Sequence, residues 1–176
     1  MLKATNGGGG RGIRRCNDEK ELIGNYDRVI SEASKAFGKP EVFLEKCVVN
    51  PRHIEVQVIA DSHGNVIHLF ERDCSIQRRN QKLIEIAPSP QLSEAQREYI
   101  GGLAVKAAKA VGYENAGTVE FLLDSDNTFY FMEMNTRLQV EHTVTETITG
   151  IDIVQEQIRI ADGQELQYKQ EEVKYR

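Results

Sequence analysis

The chain has 176 residues, of which 40% are hydrophobic, and it carries a formal net charge of −5 at pH 7. This composition predicts a folded protein with one core or two small lobes, and its acidic balance argues against nucleic acid as the main partner. No apolar run reaches the length of a membrane span, and the N-terminus MLKATNGGGG lacks the apolar core of a signal peptide. We therefore expect an intracellular protein with no membrane or nucleic-acid partner, whose three cysteines are reduced thiols.

The sequence predicts short strands and amphipathic helices, in this order: a strand at 1–5, a helix between Asn17 or Asp18 and Gly38, a strand at 42–46, a hairpin of 53–60 and 66–72, a helix opened by Ser93 and Gln96, strands at 117–123 and 128–135, and a helix from Asp152 to near Gly163. The helices are predicted from apolar residues at helical spacing behind capping residues. The strands are predicted from alternating apolar and polar residues, and the charged run 72–82 between them is predicted to be a loop.

The glycine-rich segment NGGGGRG follows the first predicted strand. Consecutive glycines let backbone amides approach a ligand closely and form an anion-binding concavity, although a flexible linker has the same composition. Lys3, just before the segment, either reaches the same phosphates or is a surface lysine.

The second predicted strand pair brings two acids together. A two-residue loop at Asp126 and Asn127 would place Glu120 directly opposite Glu133. Opposed carboxylates are destabilising unless a cation lies between them, and carboxylate and amide oxygens are suited to Mg²⁺ or Mn²⁺. Glu120, Glu133 and Asn135 are therefore a candidate metal site; a solvent-exposed pair in another register is the alternative.

The stretch EMNTRLQVEH has a polar residue at every second position. If it is extended, one face carries Glu133, Asn135, Arg137, Gln139 and Glu141. This face is either a solvated strand surface or a wall of ligand-binding groups. The run RDCSIQRRNQK has the same two interpretations, since its clustered cations suit a triphosphate or plain solvent.

Five segments together resemble the ATP-grasp core of biotin carboxylase, the component that makes carboxybiotin in acetyl-CoA, propionyl-CoA and pyruvate carboxylases: KATNGGGGRG, FLEKCVVNPRHIEVQV, ERDCSIQRRNQK, GTVEFLL and FMEMNTRLQVEHTVTE. The resemblance covers essentially the whole chain. It implies an α+β ATP-grasp fold with a small glycine-loop lobe at 1–46 and a larger antiparallel sheet lobe, flanked by helices, at 47–176. It also implies a ligase that uses MgATP and bicarbonate to form carboxyphosphate and then carboxylates biotin.

The resemblance assigns roles to residues that match the family's motifs. Implied nucleotide contacts are Lys3, Gly9, Gly10, Glu45, Lys46, Val48, His53, Gln77, Asn80 and Leu122. Implied ligands of Mg²⁺ or Mn²⁺ are Glu120, Glu133 and Asn135. In the implied reaction Glu141 is the general base, Lys82 stabilises phosphoryl or bicarbonate charge, and bicarbonate is held by Arg137, Gln139 and Val140. Asn80 stands where the family commonly has His, and Ile86 where a second acid is frequent.

The resemblance further implies partners and a longer parent protein. The partners would be a biotin carboxyl carrier protein or domain, which bears the biotin, and a carboxyltransferase component, with a homo-oligomeric parent in the cytoplasm or the mitochondrial matrix. A nucleotide-fold domain would precede Met1 and a segment of the biotin site would follow Arg176, so we expect the fragment to be poorly active alone. The alternatives are a non-catalytic nucleotide-binding fragment and another bicarbonate-activating ligase, such as urea carboxylase or carbamoyl-phosphate synthetase.

Overall fold

The structure, a computed structural model, describes residues 1–7, 12–38, 41–79 and 81–176. The chain forms two compact units, one of Met1–Val49 with Arg78–Gln81 and one of Asn50–Gln77 with Lys82–Arg176. Gly9, Gly10 and Asn80 lie outside the described residues. Within the described ranges, no helix is long and apolar enough to cross a membrane.

The first unit contains a three-stranded antiparallel sheet and one long helix. Its elements are β1 (Leu2–Ala4), β2 (Ile13–Arg14), α1 (Glu19–Phe37) and β3 (Val42–Leu44), with sheet order β2-β1-β3. Asp18 caps α1 by accepting a hydrogen bond from Glu21 N, and Gly38 ends it in the left-handed conformation, as the sequence predicted. The helix buries Val29 and Ala33.

The second unit is built on a five-stranded sheet. Its elements are β4 (Arg52–Ala60), β5 (Val66–Arg78), β6 (Gln81–Ile86), α2 (Glu94–Ala110), β7 (Asn115–Leu123), β8 (Phe129–Asn135), α3 (His142–Thr149) and α4 (Ile153–Ala161). The strand order is β6-β5-β4-β7-β8, and β4 pairs antiparallel with β5 and β7, as β7 does with β8.

The two faces of this sheet have different coverings. On one face, Ile54 and Val56 of β4 pack with Ile100 and Ala104 of α2 in a buried cluster. A second cluster joins the ends of β4 and β5 to α4 and contains Ile59, Leu69, Ile153 and Ile160. The opposite face of β4 at its start carries polar side chains, since neighbours along a strand alternate between faces.

Two helix starts follow the predicted capping chemistry. Ser93 and Gln96 form a capping box at α2, in which Gln96 N donates to Ser93 Oγ over 3.3 Å and Ser93 N donates to Gln96 Oε1 over 3.0 Å. At α4, Gln155 N donates to Asp152 Oδ1 over 2.8 Å. These predictions are confirmed because both ends of each cap lie within one turn of sequence.

The charged run 72–82 is not a loop, and this prediction was wrong. β5 continues to Arg78, and β6 begins at Gln81 and ends at Ile86. The guanidinium of Arg72, where the predicted strand ended, is buried against acceptors on β4 and β7. Those acceptors are distant in sequence, so the run itself gives no sign of them.

The segment EMNTRLQVEH is not a single strand, because only its first three residues belong to β8. β8 ends at Asn135, and α3, which was not predicted, begins at His142. A turn precedes the helix, with His142 N donating to Gln139 O over 3.2 Å and Val144 N to Glu141 O over 3.3 Å. The hypothesis of one extended face through Glu141 was therefore wrong.

The predicted pairing of Glu120 with Glu133 is confirmed, but the turn that was its basis is not two residues long. Leu123 pairs with Phe129 across a longer turn, in which Asp124 Oδ1 accepts bonds from the backbone N–H groups of residues 126 and 128. A register shift between Phe121 and Glu120 then leaves Met132 as an extra residue on β8. This bulge turns the acid at 133 toward Glu120.

Candidate active site

Four charged residues form a row across the sheet of the second unit. Arg72 on β5 is the cross-strand partner of Glu55 on β4, Glu55 is the partner of Glu120 on β7, and Glu120 is the partner of Glu133 on β8. Directly paired residues share a face, so all four project to the same side. Three adjacent carboxylates in such a row would repel one another without further cations.

Lys82 supplies a cation between these acids. Its Nζ donates to Glu55 Oε2, to Glu120 Oε1 over 2.9 Å and to Glu141 Oε1 over 2.6 Å. Burial alone would lower the pKa of Lys82, but the three carboxylates outweigh it and raise the pKa above its usual range. The ammonium is therefore charged at neutral pH and holds the acids of β4, β7 and the α3 start together.

Glu120 is the most heavily bonded of the acids. Besides Lys82, its Oε1 accepts from Asn135 Nδ2 over 3.0 Å and from Gln139 Nε2 over 3.2 Å. Its Oε2 lies 3.1 Å from His53 Nε2, which is within ion-pair distance. The angles at this contact do not meet those of a hydrogen bond, and His53 Nε2 has no hydrogen-bond partner among the described residues. Burial would raise the pKa of Glu120, but His53 and Lys82 lower it to about 2.

Glu141 lies at the N-terminal end of α3 and faces the same lysine. Burial would raise the pKa of its carboxyl group, but the hydrogen bond from Lys82 lowers it below the ordinary value. Glu141 is therefore ionised at neutral pH, a state in which it can accept a proton.

The other residues of this segment are placed differently. Gln139 is buried, and its Oε1 has no hydrogen-bond partner among the described residues. Val140 is 89% exposed. The exposed Arg137 donates only to the neighbouring Leu138 O, over 3.2 Å, so the described structure does not join its guanidinium to the Lys82 cluster.

Three of the predicted nucleotide contacts lie on the second unit. His53 begins the polar face of β4, and its cross-strand partner on β7 is Leu122. Gln77 Nε2 lies 3.2 Å from His53 Nδ1 and donates to Cys74 O over 2.8 Å. The structure therefore brings His53, Gln77 and Leu122 together beside Glu120.

The predicted nucleotide contacts of the first unit that the structure describes lie on β1 and just after the end of β3. Lys3 Nζ on β1 donates to Glu45 Oε1 over 2.5 Å, directly after β3 ends. The backbone also joins these strands, since Glu45 N donates to Met1 O over 2.9 Å. Lys46 and Val48 follow in the connection out of β3.

A family model described as "Carbamoyl-phosphate synthase L chain, ATP binding domain" matches residues 1–169. The chain belongs to this family. Among curated proteins, this ATP-binding domain is 62% identical to the 2-oxoglutarate carboxylase small subunit of Hydrogenobacter thermophilus and 57% identical to biotin carboxylase 1 of Bacillus subtilis, over 99% of its length in both cases. It spans 37% and 39% of those relatives.

Solved structures agree with the sequence relatives. The ATP-binding domain superposes with a TM-score of 0.94 and 62% identity on the biotin carboxylase domain dimer of H. thermophilus 2-oxoglutarate carboxylase, a crystal structure in complex with MgADP, ADP and bicarbonate. It superposes equally well, at 56% identity, on a Campylobacter jejuni biotin carboxylase complex with a nucleotide. Both superpositions cover 99% of this chain and less than two fifths of the other. The predicted ATP-grasp fold and the resemblance to biotin carboxylase are confirmed.

The candidate metal ligands of the ATP-binding domain fit a hard divalent cation. Glu120 and Glu133 are cross-strand partners with carboxylate oxygens on one face, and Asn135 approaches Glu120 with its amide. Glu133 is exposed and makes no hydrogen bond or ion pair within the described ranges, so its oxygens are open to a ligand. Oxygen donors of this kind suit Mg²⁺.

Sequence reasoning missed two members of the cluster, Glu55 and Arg72. Glu55 was assigned to the polar side of a hairpin strand, and Arg72 was placed at the end of the second hairpin strand and at the start of the charged run. Both are fully buried, and Glu55 binds Arg72 Nε with Oε1 and Lys82 Nζ with Oε2. The register of the predicted hairpin could have indicated this contact. If residue 60 pairs with residue 66, residues 55 and 72 lie nearly opposite each other on the two strands.

Proposed function

We propose that this chain is the ATP-binding core of a biotin carboxylase, a ligase that uses MgATP and bicarbonate to carboxylate biotin through carboxyphosphate. The observation that carries the proposal is the bridge made by Lys82, which contacts both Glu120 of the candidate metal site and Glu141, the candidate base. The similarity to biotin carboxylase domains supports it. The proposed partners are a biotin carboxyl carrier protein or domain and a carboxyltransferase component.

Glu120, Glu133 and Asn135 would hold magnesium. Bound there, the metal neutralises charge on the phosphoryl group that is transferred. Asn135 and Gln139 already donate to Glu120 Oε1 and keep this carboxylate oriented. Glu133, on the exposed side of the pair, supplies the oxygen that a ligand reaches first.

Glu141 would take the proton of bicarbonate at a carboxylate oxygen. The hydrogen bond from Lys82 Nζ to Glu141 Oε1 keeps the carboxyl group ionised and fixes its direction. Lys82 is itself held by Glu55 and Glu120, so its ammonium is positioned before substrate arrives.

Arg137, Gln139 and Val140 would bind bicarbonate. The Arg137 guanidinium is exposed and presents a fork that matches a carboxylate-like anion. Gln139 Oε1 is a buried acceptor with no partner among the described residues, and the O–H of bicarbonate is a donor that would satisfy it. Val140 directly follows Gln139 in the chain and directly precedes Glu141, so its backbone joins the proposed anion site to the base.

The proposed nucleotide contacts of the second unit are His53, Gln77 and Leu122, and those of the first unit are Lys3, Glu45, Lys46 and Val48. Gly9, Gly10 and Asn80, which lie outside the described residues, complete the proposed set. In the first unit Lys3 pairs with Glu45, so its ammonium is held at the residue that follows β3. We propose the division into a lobe at 1–46 and a lobe at 47–176 for the ATP-grasp function.

The first test is calorimetric titration of the chain with a non-hydrolysable ATP analogue, with and without Mg²⁺. We expect magnesium-dependent binding that Glu133→Gln weakens, because the amide loses the charge and one hard oxygen. Glu98→Gln is the matched control, since Glu98 is an exposed acid on α2. Binding that is equal in all three proteins would contradict the metal assignment.

The second test is bicarbonate-dependent ATP cleavage and biotin carboxylation in the full-length protein. Glu141→Gln keeps the size of the side chain but cannot accept the proton, so we expect it to lower biotin carboxylation by about 10²-fold or more. An unchanged rate in this variant would refute the role of Glu141 as the base.

A second candidate function is carbamoyl phosphate synthesis, which the description of the matching family favours. The two activities differ in the nucleophile that consumes the activated bicarbonate. Stimulation of bicarbonate-dependent ATP cleavage by ammonia, with carbamoyl phosphate as product, would select this function, and stimulation by free biotin would select biotin carboxylation. Nucleotide binding without cleavage under either condition would indicate a binding module.

A further inference from the structure

Arg72 is a fully buried arginine whose guanidinium joins three strands and a helix. Its Nε donates to Glu55 Oε1 over 2.6 Å, and its Nη2 lies 3.4 Å from Thr118 Oγ1. Its Nη1 donates to Gln57 Oε1 over 2.9 Å and to Thr145 Oγ1 over 2.8 Å. All four acceptor residues are themselves buried. An arginine without solvent contact, bonded on all three nitrogens, is rigid and cannot itself touch a ligand from solution.

Through Glu55, Arg72 reaches Lys82. Each oxygen of the Glu55 carboxylate accepts one of these bonds, Oε1 from Arg72 Nε and Oε2 from Lys82 Nζ. A planar carboxylate with both oxygens engaged has a fixed orientation. The position of the Lys82 ammonium, between Glu120 and Glu141, therefore depends on the orientation that Arg72 gives Glu55.

Through Thr145, Arg72 also reaches Glu141. Thr145 lies four residues after Glu141, one turn into α3, and so on the same side of the helix. Glu141 is the N-cap residue of α3 but makes no side-chain capping bond, because its carboxylate is turned toward Lys82. The bond from Arg72 to Thr145 fixes the first turn of a helix that lacks its own cap.

We propose that Arg72 is a positioning residue that sets the two reactive groups of the bicarbonate step, Lys82 through Glu55 and Glu141 through Thr145. The proposal rests on the proposed function, in which these two groups act on bicarbonate and phosphoryl charge. It assigns Arg72 no contact with nucleotide. Loss of the Arg72 bonds therefore impairs turnover while nucleotide affinity is retained.

The test compares Thr145→Val with Thr145→Ser in the full-length protein. Valine keeps the shape of threonine and removes the oxygen that Arg72 Nη1 uses, whereas serine keeps the oxygen and removes a methyl group. We expect Thr145→Val to lower kcat for bicarbonate-dependent ATP cleavage by about tenfold or more, with the KM for ATP changed by less than about twofold. Thr145→Ser restores most of the rate. Thr147→Val, on the exposed side of the same helix, is the control for helix propensity.

A second readout does not depend on activity. Amide hydrogen exchange of the 176-residue chain should be faster in α3 of Thr145→Val than in α3 of the wild type or of Thr145→Ser, and unchanged in α4. Equal exchange in α3 of all three proteins would overturn the proposal, as would an equal loss of kcat in Val and Ser variants. If the wild-type protein does not cleave ATP with bicarbonate, the proposed function fails, and exchange in α3 still decides whether Arg72 holds the helix.

Arg72→Lys gives an independent check. A lysine keeps one positive charge but has a single nitrogen, which cannot reach acceptors on β4, β7 and α3 together. We expect this variant to show the same fall in kcat and the same faster exchange in α3 as Thr145→Val. Full activity in Arg72→Lys would mean that charge alone suffices, and would overturn the positioning role.

Discussion

Glu55 and Glu120 face each other across β4 and β7 and share one ammonium group, that of Lys82. The two acids are 0% and 3% exposed, so water does not screen their repulsion. Two buried carboxylates in direct cross-strand register are stabilised by Lys82, which contacts both, by Arg72 beside Glu55 and by His53 beside Glu120. The same arrangement creates the site and makes its stability depend on single residues.

Lys82→Met should destabilise the chain by about 3 kcal/mol at neutral pH, because it leaves three carboxylates without their shared cation. Urea denaturation monitored by circular dichroism would measure the free energy of unfolding. Lys106→Met, an exposed lysine on α2, is the matched control and should change stability by less than about 0.5 kcal/mol.

The loss of unfolding free energy caused by Lys82→Met should depend on pH. In the wild type the pKa of Glu120 is lowered from 4.5 to about 2, so its stabilising contribution is present above pH 4.5 and is lost as the pH falls toward 2. In the variant the part of this contribution that comes from Lys82 is absent, whereas the part that comes from His53 remains. The two unfolding free energies should therefore approach each other as the pH falls through this window, and a constant difference would argue against Lys82 as a cause of the shift.

The helix caps were predictable from sequence, whereas the centre of the site was not. Ser93 and Gln96 are three residues apart, so their bonds follow from local geometry. Arg72, by contrast, finds its acceptors 17 residues earlier at Glu55 and 73 residues later at Thr145. The register of the hairpin indicates the approach of Arg72 to Glu55, but no local pattern indicates its bond to Thr145.

The pairing of Glu120 with Glu133 shows a correct prediction made for an incorrect reason. The turn after β7 is longer than predicted and moves the register by one residue, and the bulge at Met132 moves it back. Turn length and bulges are set jointly by Asp124, which binds the turn backbone, and by packing on both faces of β8. The alternation of apolar and polar residues predicts neither the length of this turn nor the bulge.

Arg97→Met should destabilise the chain by about 3–5 kcal/mol, because it leaves the buried carboxylate of Glu71 without its cation. Arg97 Nε donates to both oxygens of Glu71, over 2.9 and 3.1 Å, and the two side chains are 5% and 1% exposed. Burial already raises the pKa of Glu71 against the opposing effect of Arg97. A double-mutant cycle compares the unfolding free energies of the wild type, Arg97→Met, Glu71→Gln and the double variant, each measured by denaturant titration.

The double variant should lose less stability than Arg97→Met alone, since glutamine removes the uncompensated charge. Glu94→Gln is the control on the same arginine, because Glu94 is an exposed partner of Arg97 and its ion pair is worth little. Additive losses in the cycle would show that the two buried charges do not depend on each other.

His68 should make the chain less stable in mild acid. Burial lowers the pKa of His68 from 6.5 to about 4, so the unfolded state binds the proton more readily than the folded state. The resulting stability is complete above pH 6.5 and falls by about 3 kcal/mol as the pH drops to 4. His68→Asn, whose amide oxygen can replace Nδ1 as the acceptor for Phe70 N, should flatten this dependence in denaturant titrations across that range.

His63 provides the control for that experiment. It is exposed, and its bond to Gly163 O raises its pKa, so its effect on the pH dependence has the opposite sign. His63→Asn should therefore leave the acid-side loss of stability in place. A pH profile of His68→Asn that matches the wild type would show that other groups cause the loss.

Gly101 and Gly102 are adjacent glycines in α2 for which opposite results are expected on substitution by alanine. A Cβ at Gly101 would lie 2.5 Å from Nε2 of the His68 ring, whereas a Cβ at Gly102 would meet no atom of the described residues within 4 Å. Gly101→Ala should lower the free energy of unfolding by about 1–3 kcal/mol through overpacking. Gly102→Ala should raise it by up to about 1 kcal/mol, because alanine favours an exposed helix interior.

The cause of the Gly101 effect can be separated from helix propensity by removing the ring. A His68→Ala background removes the ring atoms that a Cβ at Gly101 would meet, so adding a methyl group there should no longer destabilise and should gain the ordinary preference of alanine for a helix. Unfolding free energies of the four proteins in this cycle measure the coupling. If Gly101→Ala costs as much without the His68 ring as with it, the close approach of β5 to α2 is not the reason for the glycine.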